Sequence, residues 1–247
     1  MGRRGRSISP MDLGMSGKVA LVTAASKGLG RGAALAMSRE GARVAICARS
    51  PGPLEATAAE LPGEVLAIPA DVTEPDAPAR LVAATVERFG GLDILVANAG
   101  GPPPARSLDV EDDAMLAAVN ANLLTSIRLV QAAVPHMRSA GGGRICLITS
   151  YSIKQPLPGL AYSNTARTGL WAWAKTAAQD LIADDITLNL ACPGLHATER
   201  ATALGASGRM GDPEDFGRVV AFLCSGSAGF VSGAALQVDG AGTLGLL

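Results

Sequence analysis

The segment PGLAYSNTARTGLWAW, residues 158–173, holds a tyrosine, a serine and an arginine in close order. Ser163 and Arg167 are four residues apart, so a helix puts them on one face, where both reach the same ligand. A hydroxyl beside a guanidinium suits an oxygen that is gaining negative charge, and a guanidinium with pKa above about 12 holds an anion without relaying a proton. Tyr162 is the better proton donor. It stands five residues from Arg167, about 140° around a helix, unless it sits at the helix entry after PLPGLA. The acid of this segment is therefore either Tyr162, Ser163, a water molecule, or His196, which follows the CPG turn of a later segment.

A second chemistry lies near the start, in TAASKGLGRGAALAM. The loop Ser26, Lys27, Gly28, Leu29, Gly30 leads into an Ala-rich stretch, and a strand that turns through glycines into a helix offers free N–H groups and a positive helix end to a pyrophosphate. Glycine lets the backbone approach the phosphate. The next apolar run ends in CARSPG, where Arg49 occupies the place that in enzymes for the unphosphorylated dinucleotide commonly holds an acid for the ribose hydroxyl. Arg49 and Lys27 together suit a 2′-phosphate, so NADP(H) is expected over NAD(H).

These residues need elements to position them. The apolar runs 18–24, 43–48, 65–70, 93–98, 143–150, 186–193 and 235–240 predict strands, separated by longer Ala- and Leu-rich stretches that predict helices. The runs are almost continuously apolar, as strands covered by helices on both faces are. Right-handed crossovers then give an α/β, doubly wound, mostly parallel sheet in a single domain, with ligands at the carboxyl ends of the strands.

Composition sets the bounds. The chain has 247 residues, 48% of them apolar, against 21 basic and 22 acidic side chains. One core is the expectation, with no field that recruits nucleic acid or a membrane surface. Four scattered cysteines, Cys47, Cys146, Cys192 and Cys224, lack the pairing of a metal or redox site and read as buried hydrophobes in a reducing cytosol. No metal is expected. Residues 1–16 read as a flexible basic leader and 17–247 as the domain.

In this order and spacing, TAASKGLG, ADVT, ANAG, NLLT, GRICLITS, ACPGLHATER and VDGAG resemble the classical short-chain dehydrogenase/reductases over residues 17–242. The resemblance implies an NAD(P)-binding Rossmann fold, a homotetramer or homodimer, and hydride exchange between nicotinamide and a carbonyl or alcohol. Its motifs place Thr23, Gly28 and Gly30 in the glycine-rich loop, with Ala24 where the first glycine stands. They place Asp71 and Val72 on the adenine, Asn98, Ala99 and Gly100 in the NAG turn, Asn122 and Ser150 at the reacting carbonyl, and Pro193, Gly194 and Thr198 along the nicotinamide carboxamide. Asn120 is a rival to Asn122.

The family's tyrosine and lysine, four apart, align without a gap on Ser163 and Arg167. The resemblance thus implies an NADP(H)-dependent ketoreductase of the 3-oxoacyl carrier-protein reductase branch, with Asn122, Ser150, Tyr162 or Ser163, and Arg167 at the carbonyl and Arg167 also on the nicotinamide ribose. The other reading is a non-catalytic dinucleotide-binding or scaffolding subunit.

Overall fold

The computed structural model describes residues 12–246, and residues 1–11 of the expected leader lie outside them. The seven apolar runs form β1 (Val19–Val22), β2 (Arg43–Ala48), β3 (Val65–Pro69), β4 (Ile94–Ala97), β5 (Gly143–Ile148), β6 (Ile186–Pro193) and β7 (Ala235–Val238). All neighbours pair in parallel, in the order β3-β2-β1-β4-β5-β6-β7. Between them run α1 (Gly28–Arg39), α2 (Pro51–Glu60), α3 (Ala77–Phe89), α4 (Asp112–Val119), α5 (Thr125–Ser139), α6 (Ala161–Leu181), α7 (Glu199–Ala203) and α8 (Pro213–Leu223). A doubly wound Rossmann sheet results.

Alternation along each strand splits the core in two. Leu21, Leu95, Ile145 and Leu188 pack with α3, α5 and α6 on one face. Val22, Ile46, Val96 and Ile148 pack with α1 and α8 on the other. Each fully buried aliphatic side chain contributes about 1.5–3 kcal/mol, and having such residues on both faces is what makes the strands read as unbroken apolar runs.

The end of the expected leader packs onto the domain. Met15 is fully buried, and Leu13 packs beside it on the α1/α8 face. A methionine can fill a gap there that the short side chains of α1 leave. The cysteines are all buried, and burial pushes the thiols of Cys47 and Cys192 up to about 11.

Two local features serve the site. At the end of β1 the chain turns through Ala24 with φ of +48°, a left-handed conformation disfavoured for a residue with a Cβ. Ala24→Gly is expected to stabilise the fold by about 0.5–1 kcal/mol, the relieved strain exceeding the entropy cost of glycine, and thermal unfolding should show a Tm rise of about 1–4 °C. Between α4 and α5 the helix widens into a π turn at Asn120–Leu124, a distortion often found at functional sites.

Candidate functional site

The carboxyl ends of the strands open into one cleft of about 760 Å³. At one end stand Arg49, Asp71 and Val72; Ser26, Lys27, Gly28 and Leu29 line its middle with Asn98, Ala99 and Gly100 opposite. At the other end are Ser150, Ser163 and Arg167, with Pro193, Gly194 and Thr198 alongside. These residues come from sites scattered over most of the chain. The parallel topology gathers them, because every strand delivers its last residues to the same edge.

The middle of the cleft fits a pyrophosphate. No side chain caps the N-terminus of α1, so its first N–H groups are left for a ligand. Gly28 has φ of +59°, and a Cβ there would reach toward Thr198 across the cleft, at 3.4 Å. Thr198 in turn caps α7 through its hydroxyl, which accepts from the Ala201 N–H at 3.2 Å. Gly30 is buried beneath the loop, where a Cβ would overlap the Ala24 carbonyl and lie 2.9 Å from Asn98 Nδ2.

Thr23 does not line the cleft. Its hydroxyl donates to the Asn98 carbonyl at 2.7 Å and accepts from the Asn98 N–H at 2.8 Å, tying the end of β1 to the end of β4. Asp71 accepts from the Thr73 N–H and hydroxyl through Oδ1, and these bonds, the backbone one foremost, hold its carboxyl below the usual range. Its second oxygen remains available to a ligand donor.

The two cations expected at a 2′-phosphate are placed differently. Arg49 is exposed and makes no ion pair among the described residues. Lys27 instead pairs with Glu199 of α7, across the mouth of the cleft. A carboxylate 172 positions further on supplies that partner, which no local pattern reveals.

At the inner end the two acids proposed for α6 separate. Tyr162 lies inside the helix, 3% exposed, and its hydroxyl accepts from the Glu111 N–H at 2.8 Å, at the start of α4. It does not face the cleft. The angular argument explains why: a residue within the helix and five positions from Arg167 must look elsewhere. Ser163 and Arg167 share the cleft-facing side, as their spacing predicts.

Arg167 is buried, and its Nη1 donates to the carbonyls of Ile148 and Thr149 at 3.1 and 3.2 Å. Burial, with the nearby Arg200 guanidinium adding to it, lowers its pKa to about 10, so it remains a cation at neutral pH. Ser150 Oγ accepts from the Ser152 N–H at 3.1 Å, which leaves its own O–H free to donate.

Asn122 is buried in the π turn. Its Nδ2 donates to the Ala118 carbonyl at 3.3 Å while its Oδ1 has no partner, and it does not line the cleft. Asn120 is fully engaged, donating to the Thr73 carbonyl and accepting from Arg128. His196 packs edge-on against Phe216, with its Nδ1 3.2 Å from the Gly194 carbonyl.

Among the cleft residues without a role in the sequence reading are Tyr151, Glu199 and Arg200. Arg200 donates from Nη1 and Nη2 to the carbonyls of Gly101 and Pro102 at 3.1 and 2.8 Å. The signal for it was a charged pair directly after Thr198, where the chain crosses the cleft.

Comparison with known proteins agrees with this geometry. Residues 23–243 match the family described as enoyl-(acyl carrier protein) reductase. The human dehydrogenase/reductase SDR family member 4 is 32% identical over 243 residues, covering 92% of this chain and 87% of the relative. L-rhamnose 1-dehydrogenase (NAD(P)(+)) of Azotobacter vinelandii is 35% identical over 244 residues, covering 90% and 95%. The crystal structure of L-sorbose reductase from Gluconobacter frateurii, complexed with NADPH and L-sorbose, superposes with a TM-score of 0.87 at 30% identity, covering 93% of this chain and 98% of the other. By a match over most of its length and by relatives above 30% identity that it covers almost wholly, this chain belongs to the short-chain dehydrogenase/reductase family of nucleotide-binding oxidoreductases.

Proposed function

We propose that the chain is an NADP(H)-dependent reductase of a small carbonyl compound. The observation that carries the reading is the continuity of one cleft, from Arg49 and Asp71, past the uncapped N-terminus of α1, to Ser150, Ser163 and Arg167. A bound nicotinamide supplies the hydride to the carbonyl carbon when reduced and accepts it when oxidised. The residues of the chain do the rest.

Ser150, with its oxygen fixed by the Ser152 N–H, donates its hydroxyl hydrogen to the carbonyl oxygen. Arg167, fixed by two strand-end carbonyls, sets a positive charge beside the alkoxide as it forms and holds the cofactor ribose. Ser163 passes the proton to that oxygen from water, since its own pKa is too high to serve alone as an acid near neutrality. Tyr162 is left out of this role because it does not line the cleft, its oxygen being anchored at the Glu111 N–H on the far side. Self-association through the β7 edge is part of the same proposal, supported by the exposed Phe230, Leu236 and Leu244.

The test is NADPH consumption across a panel of ketones together with direct titration of NADPH binding. Turnover of a ketone supports the reading. Tight binding with no turnover anywhere in the panel would make the chain a dinucleotide-binding subunit instead. For cofactor choice, Arg49→Ala is expected to weaken NADPH about tenfold and NADH less than threefold, read by fluorescence titration; equal losses would remove Arg49 from the 2′-phosphate.

A further inference from the structure

The inner end of the cleft carries more positive charge than the proposed chemistry uses, since that chemistry employs Arg167 and leaves Arg200 without a role. Two guanidinium groups, Arg167 and Arg200, line it. Neither makes an ion pair among the described residues, and both are held by backbone carbonyls alone. The carboxylates that line the same cleft are engaged elsewhere: Asp71 sits at the far end with Thr73, and Glu199 is paired with Lys27.

Arg167 is buried, and buried cations are normally paired because desolvation without a partner is costly; Arg200 stands on the exposed side of the cleft wall, its charge reaching the same space. Here the carbonyls satisfy Nη1 of Arg167, and Nη1 and Nη2 of Arg200. The remaining donors, Nε and Nη2 of Arg167 and Nε of Arg200, make no hydrogen bond among the described residues. A guanidinium with open donors is shaped for a carboxylate. The walls nearby, Leu157, Leu160 and Leu204, are apolar and leave room for a short aliphatic body.

We infer that the substrate carries a carboxylate close to its reacting carbonyl, an oxo acid, and that Arg200, with Arg167 behind it, recognises that carboxylate. This rests on the reductase reading for its carbonyl, but the anion site stands chiefly on Arg200, which that reading leaves unused. In the complex the substrate supplies the counter-charge that the folded chain lacks. Neutral ketones fill the same apolar space and leave Arg200 without a counter-charge.

The experiment uses the full chain. Oxalate, as a minimal dicarboxylate probe, is titrated by calorimetry into the wild type, Arg200→Gln and Arg200→Lys. NADPH consumption is then followed with 2-oxo acids and their uncharged amides of equal size. Oxalate affinity is expected to fall at least tenfold in Arg200→Gln and to be partly restored in Arg200→Lys. The kcat/KM preference for the acid over its amide should collapse at least tenfold in Arg200→Gln, chiefly through KM.

Oxalate binding that is absent from the wild type, or equal in all three proteins, would overturn the inference. So would turnover of amides at least as efficient as that of the acids. If no ketone, charged or neutral, consumes NADPH while oxalate binding still depends on Arg200, the reductase reading falls and the carboxylate site stands. Unaltered circular dichroism of Arg200→Gln, with lost binding restored by lysine, separates recognition of charge from a role in holding the Gly101–Pro102 loop.

Discussion

Replacing Ser163 by tyrosine and Arg167 by lysine together is expected to raise ketone turnover by about a hundredfold or more, since a positioned general acid contributes about 10²–10⁴ to a proton-coupled step. The two positions already share the cleft-facing side of α6, so a phenol at 163 would enter the cleft beside Arg167's position. The lysine would lower the phenol pKa, which the present arginine does less well because its charge is locked onto the carbonyls of Ile148 and Thr149. Ser163→Tyr alone should give part of the gain. The measurement is single-turnover NADPH oxidation at saturating ketone; a double variant no faster than the wild type would mean that proton delivery to the carbonyl is not what limits the native protein.

The largest expected loss lies far from the chemistry, where α1 and α8 touch backbone to backbone. A Cβ at Gly217 would overlap the Gly32 carbonyl and lie 2.8 Å from the Ala33 nitrogen, while one at Gly32 would overlap the Pro213 carbonyl. Neither neighbour is a side chain that can swing away. Gly217→Ala therefore forces the helices apart, and overpacking of this kind costs about 3 kcal/mol or more, a large fraction of the stability of any domain. Because α1 begins in the glycine loop, cofactor affinity should fall with it. Gly52→Ala, in α2 with nothing within 4 Å of the added Cβ, is the control and should be neutral or slightly stabilising. Denaturant unfolding of both variants reads the difference, and a Gly217→Ala protein as stable as the control would show that the two helices can separate at little cost.

The strands were legible because each is a short apolar run between polar or glycine-rich turns, and burial on both faces leaves no polar interruption inside them. Their ends were less so. The run 18–24 predicts strand through Ala24, but pairing stops at Val22, where Thr23 turns its hydroxyl to Asn98 and Ala24 enters the left-handed region. Among site residues, spacing within one helix was enough to place Ser163 and Arg167 on one side, whereas Tyr162 stayed open in the sequence because a position at the helix entry could still have faced the cleft. What stayed hidden was pairing between distant segments. Lys27 meets Glu199, Arg200 meets Gly101 and Pro102, and Met15 fills the core, each through contacts that only the crossovers between strands create. Local pattern carries no information about those partners.

The central strand has a consequence for how the protein comes into being. β1 pairs on one side with β2 and on the other with β4, Leu21 lying against Leu95, so the middle of the sheet closes only after the whole segment through β2 and β3 has been made and folded back. Such non-local pairings slow folding, since loop closure is costly before the contacts reward it. The cleft takes residues from the ends of both halves, and its inner wall depends on α6, β6 and α7. Function is thus acquired late, as a property of the finished sheet: a nascent chain that has released its glycine loop from the ribosome still has nowhere to hold a dinucleotide.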